Sequence, residues 1–326
     1  MSSLLVAVTD TVFPSLEPTQ AILAELDVEL RLADEPTPSG ILDAARGADG
    51  LLVTYAQVTG DIIRQLERCR VISRFGIGVD NIDVEAATAA QTIVTYVPDY
   101  CVDEVSDHTM ALLLSLARKI SYANHLVQGG SWNMKAVVPL HRLRGCVLGL
   151  IGFGKIPRAV VPKARAFGMK VITADPYLSD DAASELDVEL VEFEQLLQQS
   201  DYISLHAPLT PETDRLFDAD AFKRMKPEAV LINTARGALI DETALADALD
   251  AGLLAGAALD VVPEEPLTSD SPLLDRENVI LTPHTAFYSE ESLLELQTKA
   301  AQDVAHVLSG EVPRYPVNPQ VLAAPR

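Results

Sequence analysis

A chain of 326 residues in which 48% of side chains are hydrophobic can bury a sizeable core and has room for two domains. Its 47 acidic residues outweigh 25 Lys plus Arg, and a formal net charge of -22 repels polyanions, so nucleic acid is not expected as a partner. Cys69, Cys101 and Cys146 stand far apart without a CxxC pair, which predicts reduced thiols and neither a disulfide framework nor a metal site. The N-terminus has no basic stretch leading into an apolar run, and nowhere do ~20 uncharged apolar residues follow one another, so the expectation is a cytoplasmic protein that does not enter membranes.

In chain order, short runs rich in Val, Ile and Leu alternate with longer stretches of helical spacing, the pattern of an α/β fold with parallel sheets flanked by helices. The first third offers strands at Leu4 to Val8, Gly50 to Thr54, Arg70 to Ser73 and Thr92 to Tyr96. From Asp103 to Ile120 the spacing predicts one long helix, with acids early and Arg118 and Lys119 late, as the helix dipole favours. Six further strands are expected at Cys146 to Ile151, Lys170 to Ala174, Tyr202 to His206, Ala229 to Asn233, Gly256 to Leu259 and Val279 to Leu281, enough for a full dinucleotide-binding sheet. Ser289 to Leu308 reads as an amphipathic helix, ended by the Pro-rich EVPRYPVNP.

CVLGLIGFGKIPRAV runs from an apolar strand into a glycine turn in which Gly152 and Gly154 supply the first two glycines of GxGxxG and Pro157 occupies the third position. The amides of Lys155 and Ile156 would face a pyrophosphate at the helix N-terminus. Pro157 suits a first turn, whereas Pro162 is expected to distort the helix further. Asp175 ends the next strand, where a carboxylate would take the adenosine ribose hydroxyls and repel a 2′-phosphate, so NAD is favoured over NADP.

Arg236, Glu265 and His284 follow three later strands, at the edge where an open parallel sheet places its ligand crevice. Each alone could be a surface ion pair, a solvated loop acid or a hydrogen-bonded strand-end histidine. Together they supply what hydride transfer at an alcohol carbon needs: a cation to hold and polarise a 2-oxo acid, an acid/base for the hydroxyl proton, and a carboxylate that fixes the imidazole tautomer and raises its pKa.

RFGIGVDNIDVEAA, the glycine turn with Asp175, HAPLTPETDRLFD, LINTARGALIDE, ALDVVPEEPL and TPHTA occur in one order over essentially the whole chain. In these motifs the sequence resembles the D-isomer-specific 2-hydroxyacid dehydrogenase family, and DYCVDEVSDH and PHTAFYSEES look closest to its C-terminal-binding-protein branch, with Phe287 where that branch commonly has tryptophan. The resemblance implies Arg236 as the substrate-binding arginine, His284 as acid/base, Glu265 as its partner and Asp260 on the nicotinamide carboxamide. It further implies that His206, Pro208, Thr213, Thr234 and Ala235 line the cofactor cleft, and that Arg74, Gly76, Ile77 and Gly78 take the substrate carboxylate, with Phe287 near the substrate. Two Rossmann/flavodoxin-like domains are implied: a discontinuous substrate domain of residues 1-100 plus 288-326, and an NAD-binding domain of residues 101-287, with the catalytic cleft at the hinge and a homodimer formed through the NAD-binding domains. The function implied is NAD-dependent interconversion of a small 2-oxo acid and its D-2-hydroxy acid. The alternatives are an NAD(H)-responsive, corepressor-like binding protein with little catalysis, and phosphoglycerate dehydrogenase, ranked lower because such chains usually carry an added regulatory region.

Overall fold

The computed structural model describes residues 3–323 and divides into two compact units, Met1–Tyr100 with Ser289–Arg326, and Cys101–Tyr288. In the first unit, strands β1 (Leu4–Val8), β2 (Val28–Leu32), β3 (Gly50–Val53), β4 (Val71–Arg74) and β5 (Ile93–Thr95) form one sheet in the order β2-β1-β3-β4-β5, with every pair parallel. Alternate residues face opposite sides, as a pleated strand requires: Leu51, Val53, Ile72 and Val94 enter one core, and the other face receives the C-terminal helix Glu290–Ser309, whose Ala300 carbonyl accepts from the Ser73 hydroxyl at 3.4 Å. That helix starts where its sequence predicts, with Ser289 and Ser292 capping each other's backbone amides.

In the second unit, β6 (Val147–Ile151), β7 (Lys170–Ala174), β8 (Glu189–Leu190), β9 (Tyr202–Leu205), β10 (Val230–Asn233), β11 (Gly256–Leu259) and β12 (Val279–Leu281) pair in the order β12-β11-β10-β9-β6-β7-β8, again all parallel. Both faces are covered: Leu148, Leu150, Ile232 and Ala258 enter one apolar cluster, while Ile151, Leu205, Leu231 and Leu259 enter the other. The strand order reverses between β6 and β9, so the sheet opens a crevice at its carboxyl edge there.

Three local expectations differ from the structure. The second sheet has a seventh strand, the two-residue β8, and the first sheet gains β2. The long helix ends at Ala117, because Lys119 turns to a left-handed φ of 49°, and a separate helix runs from Ile120 to Gln128. The helix Lys155–Ala166 continues unbroken through Pro162, so the expected distortion there does not interrupt it.

Candidate active site

Three loops at the carboxyl ends of β10, β11 and β12 are tied together by two buried polar residues. Asn233, fully buried at the end of β10, accepts from the Ala235 amide at 3.0 Å and donates to the Arg236 carbonyl at 2.8 Å, which fixes the turn carrying Arg236. Its own carbonyl receives the amide of Asp260 at 2.9 Å. Asp260, 2% exposed, then organises the loop after β12: one carboxylate oxygen accepts from the Thr282 hydroxyl at 2.5 Å and the Thr285 amide at 2.9 Å, the other from the Ala286 amide at 2.8 Å.

His284 sits inside that loop with a left-handed φ of 53°. Such a backbone costs an L residue about 1–2 kcal/mol, and it is held by the His284 amide on the Asp260 carbonyl at 2.8 Å and by the Asp260 carboxylate on either side. The imidazole Nδ1 lies 2.7 Å from a carboxylate oxygen of Glu265, so Nδ1 carries the hydrogen toward Glu265 and Nε2 is the nitrogen that can exchange a proton with a reacting group. The second Glu265 oxygen accepts from the Val262 amide at 3.2 Å. Burial acts to raise the Glu265 carboxyl, but the hydrogen bond and charge of His284, the Val262 amide and the Arg236 guanidinium outweigh it and hold the group below the usual range. Arg236 donates from Nη1 to the Ala235 carbonyl at 2.8 Å, and the Phe287 ring meets the His284 ring edge-on with centroids 6.0 Å apart.

Behind this shell, His108 on the helix Val102–Ala117 brings Nε2 within 3.1 Å of the Thr282 hydroxyl and 3.6 Å of the Asp260 carboxylate, and Thr109 meets the Thr234 hydroxyl at 3.0 Å. Asn233, Thr282 and His108 carry no role in the sequence reading. All three stand inside quoted motifs, LINTARGALIDE, TPHTA and DYCVDEVSDH, and for the first two a polar residue flush against a strand end was the available signal.

The glycine turn has the shape a dinucleotide needs. Gly152 has φ 84°, and a Cβ there would stand 3.0 Å from the His206 carbonyl oxygen, whereas nothing lies within 4 Å of the corresponding point on Gly154. The turn therefore presses on the chain leaving β9 and leaves space over Gly154, in front of the Lys155 and Ile156 amides that open a 12-residue helix. Pro157, third in that helix, occupies a position whose amide would have no helical partner. Asp175, directly after β7, accepts the Phe153 and Tyr177 amides at 2.8 Å each, one on each oxygen, which fixes a carboxylate beside the turn. The His206 ring is 2.9 Å from the Ser204 hydroxyl, and burial pushes its imidazole down to about 3, so it is neutral at ordinary pH. The Thr213 hydroxyl donates to the Pro208 carbonyl at 2.7 Å and accepts the Thr210 amide at 2.8 Å, closing the loop after β9.

In the first unit, Arg74 ends β4 at 8% exposure with its guanidinium laid against Gly76: a Cβ on Gly76, where φ is 149°, would stand 1.1 Å from Nη1. No side chain fits there. The Gly76 amide turns back onto the Arg74 carbonyl at 2.9 Å, so of the four loop residues it is Ile77 and Gly78 whose amides continue past the turn. Among the described residues, no group of three or more His, Cys, Asp or Glu is placed to hold a metal ion, and no helix is long and apolar enough to cross a membrane.

Residues 110–286 match the family model for the D-isomer specific 2-hydroxyacid dehydrogenase NAD-binding domain. The chain is 41% identical over 315 residues to a D-3-phosphoglycerate dehydrogenase from Methanocaldococcus jannaschii, covering 96% of this chain but only 59% of that relative's length. It is 37% identical over 306 residues to a glyoxylate reductase from Thermococcus litoralis, covering 91% of this chain and 92% of the relative. Among solved structures, the crystal structure of a glyoxylate reductase from Paecilomyes thermophila superposes with a TM-score of 0.88 at 28% identity, covering 98% of this chain and 100% of the other.

Proposed function

The chain belongs to the D-isomer specific 2-hydroxyacid dehydrogenase family, and from that premise we propose that it interconverts a small 2-oxo acid and its D-2-hydroxy acid with NAD(H). When bound, NADH supplies the hydride to C2 of the oxo acid, and NAD takes it in the reverse direction. The observation that carries the reading is the 2.7 Å contact between His284 and an ionised Glu265. It leaves Nε2 of His284 to protonate the alkoxide oxygen that forms at C2, and to accept that proton in oxidation. Arg236 holds and polarises the oxo acid, and the Ile77 and Gly78 amides take its carboxylate with the Arg74 charge beneath them.

For the cofactor, the Lys155 and Ile156 amides take the pyrophosphate over Gly152 and Gly154, and Asp175 takes the ribose hydroxyls. His206, Pro208, Thr213, Thr234 and Ala235 line the nucleotide's path, Asp260 faces the nicotinamide carboxamide, and Phe287 bounds the substrate beside His284. The first unit serves as substrate domain and the second as NAD domain.

Glyoxylate reduction and phosphoglycerate oxidation, the activities for which the relatives are named, both fit this arrangement. The assay is NADH oxidation with glyoxylate, hydroxypyruvate and 3-phosphohydroxypyruvate: turnover that His284→Ala lowers by about 100-fold or more is expected. NADH binding without reduction of any acid would favour a cofactor-responsive binding protein instead.

A homodimer through the second unit is part of the same reading. The helix Ile120–Gln128 buries none of its residues, and beyond it Trp132, Met134 and Val138 are 90%, 75% and 55% exposed, an apolar stretch suited to a second copy. Light scattering of the wild type and Trp132→Glu tests it, a monomeric wild type being the contrary result. A cytoplasmic setting suits three free cysteines, of which Cys69 is inert because burial raises its thiol to about 12.

A further inference from the structure

His108, on the helix Val102–Ala117, stands at the outer end of a hydrogen-bonded chain that leads to Asp260, and the roles assigned above leave it unused. The direction of each bond in that chain follows from the groups themselves. A carboxylate only accepts, so the single hydrogen of the Thr282 hydroxyl lies on the 2.5 Å contact to Oδ1 of Asp260. The Thr282 oxygen is then left to accept, and its partner at 3.1 Å is Nε2 of His108, which therefore carries a hydrogen. At 3.6 Å the same nitrogen stands beyond hydrogen-bond distance of the Asp260 carboxylate, so its reach to Asp260 runs through the hydroxyl. Two bonds pointing the same way, Nε2–H to Oγ and Oγ–H to Oδ1, strengthen each other.

This chain decides how the two Asp260 oxygens are divided. Oδ1 takes the Thr282 hydroxyl and the Thr285 amide at 2.9 Å. Oδ2 takes the Ala286 amide at 2.8 Å and, among the described residues, no second donor. Each carboxylate oxygen accepts about two hydrogen bonds, so the protein itself fills Oδ1 and leaves one acceptor position on Oδ2. The N–H of a carboxamide suits that position. The helix carrying His108 is braced one residue further on, where the Thr109 hydroxyl donates to the Val105 carbonyl at 2.8 Å and accepts from Thr234 at 3.0 Å. His108 is thus held on a platform that also grips the loop after β10.

We propose that His108 is a positioning residue for the cofactor: through Thr282 it keeps Oδ1 of Asp260 occupied, so that Oδ2 is the oxygen presented to the nicotinamide carboxamide. The inference rests on the reading that Asp260 faces that carboxamide. It gives His108 no part in proton transfer, which belongs to Nε2 of His284.

Calorimetry of the full chain with NADH and with ADP-ribose, which lacks the nicotinamide ring, separates this role from a purely structural tie between helix and loop. In His108→Ala, NADH binding is expected to weaken by about 3- to 10-fold, the worth of one hydrogen bond, while ADP-ribose binding stays within about 2-fold of wild type. His108→Gln, whose side-chain amide can donate to Thr282 in place of Nε2, restores NADH binding to within about 2-fold. Thr282→Val shows the same NADH-selective loss, which keeps the test open if His108→Ala is too unstable to titrate. The double variant binds NADH no more weakly than Thr282→Val alone, because the two residues act in series. NADH affinity unchanged in His108→Ala, equal losses for NADH and ADP-ribose, a Gln variant as weak as the Ala variant, or additive losses in the double variant each overturn the proposal and leave the dehydrogenase reading intact. A wild type that binds NADH no more tightly than ADP-ribose overturns the reading of Asp260 and the inference with it.

Discussion

Replacing Asp260 tests whether this carboxylate builds the His284 loop or only meets the cofactor. In Asp260→Ala, the Thr282 hydroxyl and the Thr285 and Ala286 amides lose their acceptor at a site that is 2% exposed. Each buried donor left unsatisfied costs about 1–3 kcal/mol, and the left-handed His284 backbone loses the contacts that offset a further ~1–2 kcal/mol. Water entering the cavity recovers part of this, so a net loss of about 3–5 kcal/mol is expected, which for a unit of this size lowers Tm by roughly 10 °C. Asp260→Asn keeps one acceptor oxygen and should lose about half as much. The measurement is thermal and urea unfolding of the ligand-free protein, with kcat measured alongside. kcat should fall by about 100-fold or more in the Ala variant, because a displacement of His284 by ~1 Å suffices for that. A ligand-free Asp260→Ala that loses less than about 1 kcal/mol while NADH affinity collapses would refute the anchoring role and leave Asp260 acting on the cofactor alone.

Glu265→Gln keeps the shape of the contact to His284 but removes the negative charge, and kcat/KM near pH 7 should fall by about 10–1000-fold with little change in Tm. Because the Glu265 carboxyl is held below its ordinary value, it stays ionised as pH falls into the upper acid range, and the wild-type pH profile should show no limb from it above about pH 5. His206 acts on stability: its imidazole is neutral in the folded state until about pH 3 but accepts a proton in the unfolded chain below its ordinary value of 6.5, so stability falls as pH drops through that window, at a slope approaching ~1.4 kcal/mol per pH unit. His206→Asn should flatten the stability curve between pH 6 and pH 4, and an unchanged slope in urea titrations would count against the assigned cause.

The strands buried on both faces were legible because a short run of apolar residues bounded by polar or turn residues has few other uses, and β1 and β11 begin and end where such runs do. β2 was not, since VELRL alternates at a sheet edge where charged side chains reach solvent and its burial is only partial. The break at Lys119 escaped because Arg118 and Lys119 read as cations suited to a helix end, and so they are, but nothing in them announces that a second helix follows at once after a single left-handed residue. At the site all six residues stand in quoted motifs, but Arg236, Glu265 and His284 carry chemistry that their type announces, whereas Asn233, Thr282 and His108 do their work through contacts made only once the strands lie side by side.

The net charge and the proposed substrates oppose each other, and the geometry resolves the conflict by distance. A chain with a formal charge of -22 repels an anionic cofactor and an anionic acid over its whole surface, but at physiological salt that repulsion fades over about 8 Å. Inside that range the field is local: a guanidinium under Gly76, Arg236 acting on the loop of Glu265 and His284, and the amides that open the helix at Lys155. Each of these positive elements sits at the carboxyl end of a parallel strand, where the chain must leave the sheet and its next amides point outward. The carboxylates in the same places are already committed, Asp175 to two amides, Asp260 to three strong donors and Glu265 to His284. An acidic protein can thus present anion sites without reversing its surface charge, provided that the acids nearest the ligand are held by donors of their own.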